Sequence, residues 1–180
     1  VTRVWDEDGA KAKAFAEAFP SAVIAGSKEE VLTDPAIHLI ASAAIANERG
    51  SIGLEALDAG KDYFSDKPPF TTLEQVAEAR KKVAETGLKW FVYYSERIHV
   101  EAAVWAGELL KGGAIGELVS LRGWGPHRLS AEKRPAWFFE KERYGGIITD
   151  IGSHQVEQML YFSGASDATV VSSRVGNLKH

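Results

Sequence analysis

The sequence contains no cysteine. Disulfides, thiol nucleophiles and cysteine-ligated zinc are therefore excluded. It has no apolar run of membrane-spanning length, and its opening, Val1-Thr2-Arg3-Val4-Trp5, reads as neither a signal nor a transit sequence. No membrane partner is expected. Basic residues form no run: 21 Lys and Arg are spread among 25 Asp and Glu, for a formal net charge of -4. A nucleic-acid partner would require a basic stripe, so none is expected. Repeats, low-complexity tracts and an initiator methionine are also lacking. What is there, 45% hydrophobic and 26% charged residues over 180 positions, describes an ordinary soluble globular protein with ample length for a buried core. A cytoplasmic enzyme or binding protein is the expectation.

The first half alternates between two periods. Val1–Trp5, Ala22–Ala25, Ile37–Ile45, Tyr63–Ser65 and Leu88–Tyr94 read as strands. Ile37–Ile45 is apolar enough to predict burial on both faces. Between them lie helices over Ala10–Phe19, from Ser27 to Asp34-Pro35, over Ile52–Ala59, and from a Thr71–Glu74 capping box to Thr86. Gly60 and Gly87 stand where helices end. Such alternation predicts an α/β fold, a parallel Rossmann-like sheet domain. The second half differs. Val100–Leu110 and Gly145–Phe162 read as helices, and Leu118–Gly123 and Ala168–Val175 as strands, the last followed by one polar turn. Between them runs a polar and aromatic segment, Trp124–Tyr144. The domains are set at residues 1–96 and 97–180.

Four places could carry chemistry. In "TDIGSHQVEQ" (149–158), Asp150 and His154 are four apart and share one helical face. A carboxylate beside an imidazole is a general acid–base pair, in which the acid fixes the tautomer and stabilises the imidazolium; a surface Asp–His contact has the same spacing. Gly152, between them, weakens a helix and suggests close approach of another group. On such a helix Ile147, Ile148, Ile151, Met159 and Leu160 are left to anchor it to a sheet. Lys67, between Asp66 and Pro68-Pro69, is held extended at the carboxyl end of a strand, where open α/β sheets bind ligands; the Lys67-Pro68 bond is a candidate cis bond. An exposed turn lysine is the alternative. Asp6 follows the first strand, where dinucleotide-binding domains place an acid on the adenosine ribose. Glu7 and Asp8 beside it would repel a 2′-phosphate, favouring NAD over NADP; a helix N-terminal acid would occupy the same position. His127, Arg128, Arg134, Trp137 and Tyr144 offer donors and aromatic faces suited to a sugar or polyol ring, or to packing of the segment on itself. Metal-ligand spacing is not found, and no metal is expected.

Taken in order, "ALDAGKDYFSDKPPFTTLEQ" (56–75), "GELLKGGAIGELVSLRG" (107–123) and "RYGGIITDIGSHQVEQMLYFSG" (143–164) resemble the Gfo/Idh/MocA family of NAD(P)-dependent oxidoreductases. The matching motifs are Asp66-Lys67-Pro68, where glutamate is more usual than aspartate, and Gly145-Gly146 with Asp150 and His154. The resemblance implies a Rossmann domain followed by an α/β domain with a largely antiparallel open sheet that commonly serves oligomerisation, hence a homo-dimer or homo-tetramer. It implies that Lys67, Asp150 and His154 converge beside the nicotinamide of NAD. One of Lys67 and His154 would take the proton of a substrate hydroxyl, and Asp150 would orient substrate and histidine. Cofactor contacts are expected for Asp6, Lys67 and Asn47, and substrate contacts for His127, Arg128, Trp137 and Tyr144. The family often has a histidine in the segment that here reads Ala46-Asn47-Glu48-Arg49.

A second departure concerns the phosphate loop. No G-x-G-x-x-G is present: Gly112-Gly113-Ala114-Ile115-Gly116 has the wrong spacing, and Gly123-Trp124-Gly125 lacks a third glycine. In the family that motif follows a strand that would precede Val1, at the centre of the order 3-2-1-4-5-6. A sheet without it leaves its flanking strands unpaired, so the sequence is expected to be part of a longer protein, and the 180 residues alone are not expected to hold NAD. The activity implied is oxidation of a secondary hydroxyl of a sugar, inositol or related polyol. An NAD-dependent glycosidase and a non-catalytic binding or regulatory protein are the alternatives on this scaffold.

Overall fold

The computed structural model describes residues 1–176; the polar turn expected after Val175 lies in part outside the described residues. The chain divides into two compact units. The first comprises Val1–Ala44, Glu48–Ser65 and Leu73–Phe91; the second comprises Ile45–Asn47, Asp66–Thr72 and the chain from Val92 onward.

Strands and helices alternate through the first half: β1 (Arg3–Val4), α1 (Gly9–Ala18), β2 (Val23–Ile24), α2 (Lys28–Thr33), β3 (Leu39–Ser42), α3 (Ala46–Asp58), β4 (Asp62–Asp66), α4 (Leu73–Thr86) and β5 (Trp90–Tyr93). Local chemistry sets their ends. Asp8 caps α1 by accepting the Ala10 N–H, and Ser27 caps α2 by accepting the Glu30 N–H at 3.1 Å. Gly60 and Gly87 follow α3 and α4 with φ of 73° and 70°, left-handed geometry that glycine adopts without strain.

The strands form two sheets. β1 pairs in parallel with β2, with Arg3 opposite Val23. β3 pairs in parallel with β4, with Leu39 opposite Asp62, and β4 also bonds β5. Among the described residues no strand joins β1 to β3.

The core of the first unit forms around Tyr63, fully buried, with Leu32 and Ala56 and the partly buried Ile40, Ile52 and Trp90. The Tyr63 hydroxyl donates to the Arg49 carbonyl at 2.9 Å, so burial leaves no orphaned polar atom there. Burial also pushes the Tyr63 phenol up to about 12. Lys61 is buried too, and its ammonium donates to the Asp34 and Ile37 carbonyls at 2.7 Å each. The Trp90 ring lies edge-on to Tyr63, with centroids 4.7 Å apart, and passes over α3 at Gly53.

Two sequence expectations for this half are corrected. β3 is not buried on both faces: Leu39 is 48% exposed and the strand alternates exposed and half-buried. β3 covers four residues, and among the described residues only β4 pairs with it. α3 begins at Ala46 and not at Ile52, and Gly50 and Gly53 both lie inside it.

In the second unit α5 (Ser95–Ile98), which the sequence did not suggest, precedes α6 (Glu101–Lys111). Short 3-10 turns at Ala131–Lys133 and Ala136–Phe139 and one helical turn, α7 (Lys141–Tyr144), follow. The helix expected over Gly145–Phe162 is a π-helical turn, Ile148–Gly152, running into α8 (Ser153–Ser163). α8 packs on α5 and α6. Arg97 pairs with Glu157 at 2.5 Å, and its guanidinium lies 4.2 Å from the centroid of the Tyr161 ring. The strands expected at 118–123 and 168–175 do not form among the described residues. A strand requires a hydrogen-bonded neighbour, and these segments have none there; Val119 and Val171 are 91% and 95% exposed. For the same reason Ile147, Ile148 and Met159 are exposed and anchor no sheet.

A Cβ added at Gly53 would lie 2.1 Å from the Trp90 ring. Gly53→Ala gains about 1 kcal/mol of helix propensity but meets an overpacking cost of about 1–3 kcal/mol or more. The variant is expected to unfold at lower urea concentration than wild type; an unchanged or raised midpoint would contradict this packing.

Candidate active site

β4 runs out at Asp66, and the chain turns through the cis Lys67-Pro68 bond. The turn presents the Lys67 ammonium to Asp150. It donates to Asp150 Oδ1 at 2.9 Å and to the Asp150 main-chain carbonyl at 3.0 Å. Both side chains are largely buried, 16% and 12% exposed. A buried pair of this kind is held only when both members are present, since either alone would be an uncompensated charge.

The backbone around Asp150 is built for this contact. Gly145 and Gly146 have φ of 85° and 88°, and a Cβ at Gly145 would lie 3.1 Å from the Thr71 methyl and 3.0 Å from that of Thr149. Close approach therefore occurs at Gly145. It does not occur at Gly152, where a Cβ would meet nothing nearer than Ile148 Cγ2 at 3.5 Å. A π turn shifts the helical hydrogen bonds by one residue, and such turns recur at functional sites. Here side chains use the Asp150 carbonyl: Ser153 Oγ donates to it at 3.1 Å alongside Lys67.

His154 lies in the first turn of α8 and is 3% exposed, with the Tyr94 ring edge-on at 5.8 Å. Its Nδ1 has no hydrogen-bond partner among the described residues. Its Nε2 lies 3.9 Å from Glu96 Oε1. Burial holds the imidazole below its ordinary value; Glu96 and Asp150 raise it again, and Lys67 and His127 add to the lowering. Asp150 makes no hydrogen bond to His154: the shared helical face is real, but Lys67 takes the carboxylate.

His127, exposed, donates from Nε2 to Glu96 Oε1 at 2.8 Å. Arg128 is exposed and makes no hydrogen bond or ion pair among the described residues. Trp137 and Tyr144 pack against Phe138, with centroids 5.9 and 5.1 Å away, and Arg134 stacks on the same ring at 4.3 Å. Asp6, in the first unit, is exposed after β1 and accepts the Asp8 N–H at 2.8 Å through Oδ1. Asn47 is half-buried in the first turn of α3. The second unit thus brings Lys67, Asp150 and His154 together, with His127 joined through Glu96. Sequence reading missed Glu96; it is 31 residues from His127, and no local spacing signals the contact.

With this geometry in view, the relationships of the chain are informative. Residues 1–94 match an oxidoreductase family with an NAD-binding Rossmann fold, and residues 104–180 match the GFO/IDH/MocA C-terminal domain. The chain belongs to the GFO/IDH/MocA family of oxidoreductases. A D-xylose dehydrogenase of Paenarthrobacter nicotinovorans is 28% identical over 150 residues, covering 81% of this chain and 38% of that enzyme. The scyllo-inositol 2-dehydrogenase (NAD(+)) of Bacillus subtilis is 29% identical over 141 residues, covering 78% of this chain and 40% of that enzyme. A crystal structure from Erwinia carotovora atroseptica, named as an oxidoreductase, is 44% identical with a TM-score of 0.87, covering 99% of this chain and 54% of that one. The chain thus spans about two fifths of the length of these curated relatives.

The lowered value of His154 fixes the sign of a pH effect. The unfolded imidazole, near about 6.5, binds its proton more readily than the folded one. Its contribution to stability is therefore complete above about pH 6.5 and is lost as pH falls through the folded value. Relative to His154→Gln, wild type is expected to lose stability between about pH 8 and about pH 5. Parallel unfolding curves for the two proteins, the same distance apart at both pH values, would contradict a buried neutral imidazole.

Proposed function

We propose that this protein is an NAD-dependent dehydrogenase of a secondary hydroxyl on a sugar, inositol or related polyol, with Lys67, Asp150 and His154 as its catalytic centre. The observation that carries the reading is a buried imidazole whose Nδ1 is unpartnered among the described residues, in the same unit as a lysine paired with Asp150. Oxidation of an alcohol requires a base for the hydroxyl proton and a donor for the oxygen as it becomes a carbonyl. His154 takes the proton. Lys67 donates to the same oxygen, and Asp150 holds Lys67 in place. The related xylose and inositol dehydrogenases support the substrate class.

Asp6, Lys67 and Asn47 are assigned to the cofactor. Asp6 is exposed after a parallel strand and has one carboxylate oxygen engaged by Asp8 N–H, leaving the other for the hydroxyls of a ribose. Glu7 and Asp8 beside it disfavour a 2′-phosphate, so NAD is preferred to NADP. Lys67 and Asn47 serve the nicotinamide end. When bound, NAD supplies the acceptor for the hydride from the carbon bearing the hydroxyl. The phosphate-cradling glycine loop is not among the 180 residues. His127, Arg128, Trp137 and Tyr144 are assigned to the substrate side. The reading includes domains at 1–96 and 97–180, a second domain completed by an open antiparallel sheet, and a cytoplasmic homo-dimer or homo-tetramer. No helix among the described residues is long and apolar enough to cross a membrane.

Lys67→Met and His154→Ala, in the full-length protein, are each expected to reduce polyol-dependent NADH formation by about a hundredfold or more. NADH affinity, read by fluorescence titration, should change little. Variants that lose NADH binding but turn over normally at saturating cofactor would place both residues in binding alone.

A further inference from the structure

The acids of the site are divided between its bases. Asp150 is taken by Lys67 at 2.9 Å. The carboxylate facing His154 is Glu96, on α5, whose Oε1 lies 3.9 Å from Nε2. Glu96 is itself held from two sides: His127 Nε2 donates to Oε1 at 2.8 Å, and Gln155 Nε2 donates to Oε2 at 3.4 Å. A neutral imidazole carries one proton and one lone pair. With the proton on Nδ1, the Nε2 lone pair would face an anion. With the proton on Nε2, the N–H faces the anion and the lone pair falls on Nδ1, the buried nitrogen without a protein partner.

We propose that Glu96 is a positioning residue for His154. It fixes the Nε2–H tautomer and stabilises the imidazolium that forms when Nδ1 takes the substrate proton, while His127 holds Glu96 at the rim. This rests on His154 being the base of the proposed dehydrogenation. The step balances: the substrate O–H bond breaks and Nδ1–H forms, Nε2–H is retained, and the ring gains one positive charge opposite one carboxylate. The hydride leaves the neighbouring carbon for NAD as the O–H electron pair becomes the second C–O bond. A separation of 3.9 Å is longer than a hydrogen bond. Catalytic hydrogen bonds are commonly long without substrate and tighten on binding.

Four charged or titratable groups act on the His154 ring, and the Tyr94 phenol ring lies edge-on to it. Glu96 and Asp150 favour its protonation; Lys67 and His127 oppose it. Opposite responses are therefore expected from the two ends of the Glu96 contact. By NMR of nitrogen-labelled histidine in the full-length protein, neutral His154 should be the Nε2–H tautomer. Glu96→Gln should move its titration to lower pH, and His127→Ala to higher pH. In turnover, Glu96→Gln should lower kcat/KM about tenfold or more and carry the acid limb of its pH profile downward, with Glu96→Asp restoring part of the rate. A merely structural Glu96 would not move the two titrations in opposite directions. An Nδ1–H tautomer, or a His154 titration unmoved by Glu96→Gln, overturns this inference alone. Retained turnover in His154→Ala overturns the base assignment and this inference with it.

Discussion

The pair between Lys67 and Asp150 is the constraint on which the site depends. It joins residues 83 apart in sequence, across a turn with a cis bond on one side and a π turn on the other. Its two bonds use different parts of Asp150, the carboxylate and the main-chain carbonyl. Two side chains, Lys67 and Ser153, donate to that carbonyl.

Once Asp150 is committed, the rest of the charge arrangement follows. Burial, Lys67 and His127 lower His154, and Glu96 and Asp150 act in the opposite sense. Desolvation and Lys67 keep the ring neutral at rest, and Glu96 stands where a cation on that ring would be stabilised. A base that is neutral before the reaction and charged after it needs both conditions. In the proposed reaction the same lysine that suppresses protonation at rest also steadies the oxygen as its proton leaves.

Much of this was legible in the sequence, and the reasons are local. β2, β3 and β5 lie in apolar stretches of the sequence, and Gly60 and Gly87 mark helix ends through φ values that only the absence of a Cβ makes easy. Asp150 and His154 were placed by helical spacing, and Lys67 by its position after a strand. What spacing could not display is which side chain takes which partner. The one-face argument paired Asp150 with His154, whereas the nearest cation to Asp150 lies 83 residues away. Glu96 was invisible for the same reason. The start of α3 was read six residues late, at Ile52, and no local signal marks Gly53 as the place where the helix makes room for Trp90. The segments at 118–123 and 168–175 have strand composition, but pairing is a property of neighbours and not of composition.

Family membership fixes the scaffold, and the reaction is the claim that remains to be measured. The most direct test is to mix the full-length protein with NAD and a panel of sugars and inositols, and to follow NADH and ketone together. The account predicts substrate-dependent NADH formation, one for each ketone produced. NAD that returns unchanged while a glycoside is cleaved would contradict it, as would a complete absence of NADH across the panel.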